Sequence, residues 1–420
     1  MTEVDTPLAG GRASTINKAS AAIISQGIVA AASFALQGLA LHELGFAGMA
    51  DFITLSNGLI LVAAAIHTGW VGDSLVVLDR HDLPIRRALF VTSAASAVIS
   101  FVFGVVGSLI FTDLRFDAAL LFGLALTAWL VEETGRRLMM ARGEFVALVI
   151  NDVIFAVGSL GLIVVVMVTS RLTMTWLVLS LLAGSVISIV AAAVQLPRSE
   201  FVVPSRGPVA FGKLASFAAW RSGQLTMRPL GMLLARQAVA VVLSKPALGL
   251  LDTGRLVIAP ILTAANGFGG FSLPYFTARR DTHQLGMGIV YKFAAVSAAG
   301  AALYLPVALL LSPVFDKLSD DGAIPAGLIV SWCIYAAFYS ANIPVVNALA
   351  AIQQSRVVFW GRCVDSVLII ALSAAMASAW GVEWVPVALM VGMVVGTAIP
   401  LLRLHRSNQL PRMGVPALDD

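Results

Sequence analysis

The chain has 420 residues, 59% of them hydrophobic and only 12% charged, with a mean hydropathy of +0.92. Soluble domains run nearer about 45–50% apolar and about 25% charged, so too few charges are present to coat a water-soluble surface of this size. A soluble, disordered or fibrous chain is excluded, and a polytopic membrane protein is implied. The 27 Lys and Arg against 23 Asp and Glu give a net charge of +4 and a pI near 9.3. No nucleic-acid partner follows from this, because the basic residues fall mostly in short loops between apolar runs, where membrane topology accounts for them.

Residues 1–19 are polar and contain no short apolar run ending in a small-residue cleavage site, so they read as a cytoplasmic lead-in rather than a signal peptide. Apolar runs of about 20 residues, the length that crosses the hydrocarbon core as helix, then follow at 20–42, 46–68, 87–111, 117–138, 145–168 and 173–195. A polar segment at 197–213 holds three prolines and two glycines and reads as a linker between lobes. Six more runs follow at 215–243, 248–274, 288–312, 324–352, 357–380 and 384–403, and 405–420 is a polar tail. The runs are continuous rather than alternating, which predicts an all-α fold and not a β-barrel. With both termini in the cytoplasm, the inner loops and tails hold 17 Lys and Arg and the outer loops four, the asymmetry that orients membrane proteins.

The expected architecture is therefore about 12 transmembrane helices in two six-helix lobes, 20–196 and 214–404. The halves echo each other. Leu44-Gly45 follows the first span with Asp51 six residues past the glycine, and Leu248-Gly249 follows the seventh with Arg255 six residues past. Asn151-Asp152 in the fifth span matches Val364-Asp365 in the eleventh. An even number of helices per half places both in one orientation, so the pseudo-twofold axis lies along the membrane normal.

These features carry a family resemblance: Asn17-Lys18-Ala19-Ser20, Leu44-Gly45-Phe46-Ala47-Gly48-Met49-Ala50-Asp51, the run Glu132-Glu133-Thr134-Gly135-Arg136-Arg137 through Gly143, Asn151-Asp152, and Leu248-Gly249. With them the chain resembles the multidrug/oligosaccharidyl-lipid/polysaccharide exporter superfamily, in its polysaccharide-biosynthesis, O-antigen-flippase-like branch. The resemblance implies a V-shaped pair of six-helix lobes that moves a lipid-linked sugar between leaflets.

A charge at the bilayer centre costs roughly 2.5–3.5 kcal/mol on insertion scales, so intramembrane charges face a hydrated cavity or a partner. The seventh span carries Arg221, Gln224, Arg228 and Arg236. At about 100° per residue the three arginines fall within an arc of about 80°, and Pro229 is expected to kink or loosen the helix beside Arg228. These residues, with Arg255 in the eighth span, are the candidate substrate-binding set. Guanidinium groups bind phosphate oxygens bidentately and stay charged when buried. The competing reading is that they pair with Asp51, Asp152, Asp252 or Asp365 to hold the lobes. Asp51 and Arg255, at matched positions, suggest a salt bridge closing an outer gate. Asp152 and Asp365 are candidate gating or ion-coupling sites, although Arg362 stands three residues from Asp365. Glu132, Glu133, Arg136 and Arg137 read as a solvated helix end. Trp176, Trp380 and Trp384 are expected as interfacial anchors, and Trp332 and Trp360 as core packing. Cys333 and Cys363 are expected to be buried thiols.

No two of the five histidines have metal-ligand spacing, and no phosphate-cradling Gly-Lys-Ser/Thr loop is present, so no cofactor, metal or catalytic residue is expected. Gly267-Phe268-Gly269-Gly270 reads as a flexible helix end. The expected function is a non-enzymatic flippase in the inner membrane for a polyprenyl-pyrophosphate-linked oligosaccharide. Its partners would be that lipid, the surrounding lipids, and glycosyltransferases or a polymerase of the same pathway. The alternatives are a cation-coupled multidrug exporter of the same fold, which the basic seventh span disfavours, and a membrane polymerase or ligase, which the short outer loops disfavour.

Overall fold

Gly45 marks where the first span ends. Helix α1 (Arg12–Ile53) is continuous except at this residue, whose φ of 65° and ψ of −170° break the helical path between two spans. A side chain would strain this backbone conformation, which glycine adopts freely. The computed structural model describes residues 12–78, 82–201, 207–281, 284–317, 322–352 and 355–406. Most of the expected lead-in, much of the tail and part of the linker (202–206) lie outside the described residues. The helix opens at Arg12 rather than at residue 20, so the end of the polar lead-in is already helical.

The second span is irregular. After α1 come a π-helical turn (Thr54–Leu59), α2 (Ile60–His67), a second π-helical turn (Thr68–Gly72) and α3 (Asp73–Val77). The next four spans are single helices: α4 (Leu83–Phe111), α5 (Phe116–Arg142), α6 (Phe145–Thr169) and α7 (Met174–Gln195). A short α8 (Arg198–Phe201) precedes α9 (Phe211–Val242), which runs unbroken through Pro229. The eighth span is broken instead: α10 (Lys245–Val257) and α11 (Ala259–Asp281) meet at a 58° bend. Pro260 explains it, since proline has no N–H to give and its ring clashes with the carbonyl four residues back. The ninth span is likewise split, into α12 (Met287–Ala302) and α13 (Leu305–Asp316), with Pro306 at the start of the second piece. Single helices α14 (Ala326–Ala351), α15 (Ser355–Trp380) and α16 (Val385–Arg406) complete the chain.

The twelve expected runs fall on helical segments, of which nine helices, or ten spans with the bent α10–α11 pair, are long and apolar enough to cross a membrane among the described residues, and no strand occurs among them. The protein is an all-α, multi-pass membrane protein. Large apolar side chains point outward along the spans, among them Val98, Val168, Val194, Val241 and Leu310, as a lipid-facing surface requires. Trp380 and Trp384 are exposed neighbours with ring centroids 5.7 Å apart, as anchors would be. Trp332 is fully buried and donates to the Leu251 carbonyl at 2.9 Å. Trp360 is not core packing: it is exposed beside Phe359. Cys333 is buried and Cys363 half-buried, both as free thiols.

By internal contacts the chain divides into two compact units, one holding the chain through Leu36 with Leu59–Ser222, the other Gln37–Gly58 with Gly223 onward. The first has a core of Val71, Leu75, Ile85, Leu89, Met139, Leu148 and Leu214. The second packs Phe276, Leu285, Val290, Val345 and Leu349 together. Within the second unit the two echoed motifs meet. A methyl group on Gly249 would lie 1.9 Å from the carbonyl oxygen of Phe46, the residue after Gly45. Only glycine admits that approach.

Candidate functional site

The second unit places four arginines around two aspartates. On α15, Asp365 is 2% exposed and sits 3.0 Å from Arg362, one turn earlier on the same helix. Gly396 of α16 presses on Asp365, since a Cβ there would come within 2.7 Å of the aspartate Cβ. From α9, Arg228 approaches Asp365 at 4.0 Å, donates to the Tyr335 hydroxyl at 3.0 Å, and lies 4.9 Å over the ring of Tyr339. Tyr335 and Tyr339 are one turn apart on α14 and stack with centroids 5.8 Å apart. Tyr339 donates to exposed Asn266 on α11 at 2.8 Å. Arg228 and Arg362 keep 20% and 16% of their side chains exposed. Gln224, one turn before Arg228 on α9, is half-buried.

A second group repeats the pattern. Arg236, two turns beyond Arg228, lies 3.1 Å from Asp252 of α10, and Arg255 lies 3.5 Å from the same carboxylate. Arg236 also donates to the backbone carbonyl of Asn57 at 3.3 Å, and Arg255 to the Gln37 side-chain carbonyl at 3.2 Å. Asp252 is 1% exposed, yet neither of its oxygens receives an aligned hydrogen bond. The group is held by charge and proximity, without the directional bonds that fix a buried ion pair.

Four guanidiniums therefore stand against two carboxylates in the interior of this unit, a surplus of two positive charges. Buried like charge without a counter-ion is costly, and a doubly charged phosphate group would offset it. The sequence singled out Arg228, Arg236 and Arg255. It also named Asp252 and Asp365 as candidate partners and Arg362 as the neighbour of Asp365, but it missed Tyr335 and Tyr339, although the i, i+4 tyrosine pair on the tenth span was a legible signal.

The expected Asp51–Arg255 bridge is not formed. Lys245, at the first turn of α10, reaches Asp51 at 3.3 Å. Arg255 lies ten residues further along, about 15 Å at helical rise, beside Asp252.

The first unit holds its own buried charges. Glu132, Glu133 and Arg136 are each under 8% exposed, so the solvated helix end expected there is wrong. Arg136 donates from Nε to Asp152 at 2.7 Å and from a terminal nitrogen to Glu133 at 2.6 Å, with Glu132 at 3.7 Å. Asp152 also accepts from Ser25, and Asn151 donates to Ser188 at 2.6 Å. Arg137 holds Glu133 at 2.7 Å and lies 3.9 Å from Asp73, which pairs with Arg221 at 2.6 Å. Arg221 thus sits in the first unit, while Arg228, Arg236 and Arg255 gather in the second. Across Glu132, Glu133, Asp152 and Asp73 against Arg136, Arg137 and Arg221, the balance is one negative charge. The halves echo chemically too: the fifth-span aspartate meets the first span of its own half through Ser25, and the eleventh-span aspartate meets the seventh through Arg228.

No protein-family model matches the chain, and no curated protein matches it in sequence. Solved structures do match its fold. A MATE transporter of Vibrio cholerae superposes with a TM-score of 0.66 at 13% identity, covering 95% of this chain and 100% of that one. The lipid II flippase MurJ in an inward closed conformation gives 0.67 at 10% identity, covering 93% and 87%. A MOP superfamily transporter from Pyrococcus furiosus, described as having a binding pocket of reversed polarity that suggests a different function, gives 0.63 at 12% identity, covering 94% and 96%. The chain shares their fold over nearly its whole length. At these identities the likeness establishes the fold and nothing finer.

Proposed function

We propose that this protein is a membrane flippase, not an enzyme, that moves a polyprenyl-pyrophosphate-linked oligosaccharide between leaflets by alternating access of its two six-helix lobes. The observation that carries this reading is the surplus of two guanidinium charges in the second unit. Arg228 and Arg362, partly exposed, receive the phosphate first. Asp365 holds them in place while the site is empty. Arg236 and Arg255 form a second station in the same unit. Planar guanidiniums suit phosphate oxygens, and they carry their charge in a dry site where a lysine would be prone to lose its proton. The shared fold with a lipid II flippase supports a lipid-linked cargo. The 17-to-4 distribution of basic residues supports an orientation with both termini cytoplasmic, as an inner-membrane protein would have.

The buried negative balance around Asp152 supports a second element, an ion-coupling role for Glu132, Glu133 and Asp152. A proton or monovalent cation would neutralise the surplus carboxylate. This element also fits the alternative of a cation-coupled multidrug exporter. The cargo decides between them. Purified protein in proteoliposomes is tested for leaflet exchange of a fluorescent polyprenyl-pyrophosphate oligosaccharide and, in parallel, for accumulation of an organic dye cation. Exchange of the first that falls in Arg228→Ala supports the flippase. Dye transport without glycolipid exchange would falsify it.

A further inference from the structure

Arg236 and Arg255 do more than surround Asp252: each grips one end of the same stretch of chain. The segment 37–58 packs with the second unit, whereas the residues on both sides of it belong to the first. Gln37 is its first residue and takes a hydrogen bond from Arg255; Asn57 is its last but one and takes one from Arg236. Between these ends, Gln237 donates to Thr54 at 3.3 Å and Lys245 pairs with Asp51 at 3.3 Å. The segment contains the helix break at Gly45 and most of a π-helical turn at Thr54–Leu59, so it has a joint within it and another at its end.

We propose that Arg236, Asp252 and Arg255 form an anion-operated latch, in which a lipid-linked pyrophosphate draws the two guanidiniums off the segment 37–58 and frees it. The proposal rests on the substrate reading above and adds what binding does.

Three observations carry it. First, the latch is under-bonded. The side-chain amide nitrogen of Asn57 and Nε of Arg255 are buried donors without acceptors, and both oxygens of Asp252 lack aligned donors. Unpaired buried donors beside two guanidiniums favour an incoming acceptor. Second, the nitrogens that hold the segment are half of each bidentate face: Arg236 gives one terminal nitrogen to Asn57 and turns the other to Asp252, and Arg255 gives a terminal nitrogen to Gln37 and turns Nε to Asp252. A guanidinium that turns its terminal nitrogens to phosphate oxygens gives up the Asn57 carbonyl or the Gln37 amide, and a doubly charged phosphate outcompetes the single charge of Asp252. Third, the cavity that Arg236 lines with Met232, Leu251 and Trp332 has a volume of about 10 Å³, about one water molecule, which is too small for a phosphate, so a phosphate that reaches Arg236 from that side displaces what packs there. A ligand that binds only the released state shifts the population toward it.

The test is hydrogen–deuterium exchange of the full chain in lipid nanodiscs, with and without polyprenyl pyrophosphate, with retained lipid measured alongside. Peptides within 37–58 are expected to exchange about fivefold faster when the lipid is present. Arg255→Gln should exchange fast before lipid is added and respond no further. Gln37→Leu loosens the same end but keeps every guanidinium, so it should exchange fast yet still retain lipid. It carries the test if Arg255→Gln does not fold. Lipid retained by the wild-type chain with unchanged exchange in 37–58 overturns the latch and leaves the substrate reading standing. No retained lipid overturns the substrate reading, and the latch with it.

Discussion

Arg136 Nε reaches Asp152 Oδ1 at 2.7 Å, joining the fourth and fifth spans through a pair that is 8% and 1% exposed. Removing one member of a buried pair leaves the other uncompensated, at about 3–5 kcal/mol. The loss should be unequal here. Arg136 serves three carboxylates, Glu132, Glu133 and Asp152, so Arg136→Gln strands Glu132 and Asp152 and leaves Glu133 to Arg137. Asp152→Asn leaves Arg136 with two. Thermal unfolding in detergent, followed by size-exclusion fluorescence, should show little folded Arg136→Gln protein and a smaller fall in Tm for Asp152→Asn.

Arg228 is partly exposed, and its contacts are one phenol hydroxyl, a thioether, a ring face and a carboxylate at 4.0 Å. Its loss should therefore cost function more than stability. A charge-assisted hydrogen bond contributes roughly 1.5–3 kcal/mol, so Arg228→Ala should lower glycolipid exchange about tenfold or more. Arg228→Lys should recover part of it, because the charge remains and the bidentate geometry does not. Initial rates in proteoliposomes, normalised to reconstituted protein, check this.

Asp365 competes with the cargo for Arg228 and Arg362. Asp365→Asn removes that competitor while leaving both guanidiniums. Retention of polyprenyl pyrophosphate should rise by about tenfold, equivalent to about 1.4 kcal/mol, and turnover should fall because release becomes slow. Equilibrium binding and exchange rates measured on one preparation separate the two effects.

Lys245 and Asp51 are 32% and 16% exposed, so their pairing contributes modestly, within about 1 kcal/mol. Reversing either charge alone should speed hydrogen exchange in 37–58. The double reversal Lys245→Asp with Asp51→Lys should restore it. Failure of the double reversal would show that the pair does not hold the segment.

Gly249 tolerates no side chain against the Phe46 carbonyl. Gly249→Val should prise the segment from α10, giving fast exchange there with the rest of the second unit unchanged.

The spans were legible because continuous apolar runs in a bilayer have one solution, the helix. The breaks were legible only in part. Pro260 and Pro306 are visible signals for the splits in the eighth and ninth spans, whereas Pro229 leaves α9 unbroken. Partners were the hard part. A helical wheel places Arg236 and Arg255 on faces, but says nothing about which neighbouring helix meets the face. That is why Asp51 was matched to Arg255 by symmetry while Lys245 lay closer. Glu132 to Arg137 misled for a related reason. Acids and bases three and four residues apart stabilise a solvated helix, and the same spacing serves a buried cluster once Asp152 and Ser188 close over it.

Helix α2 lies between two widened turns, Thr54–Leu59 before it and Thr68–Gly72 after it. A π turn holds one residue more than an α turn. If one turn surrenders that residue and the other accepts it, the eight residues from Ile60 to His67 rotate about their own axis by about 100°, and the chain beyond both turns stays in register. Such an exchange would turn a different row of side chains toward the neighbours of α2 and shift it about 1.5 Å along its axis.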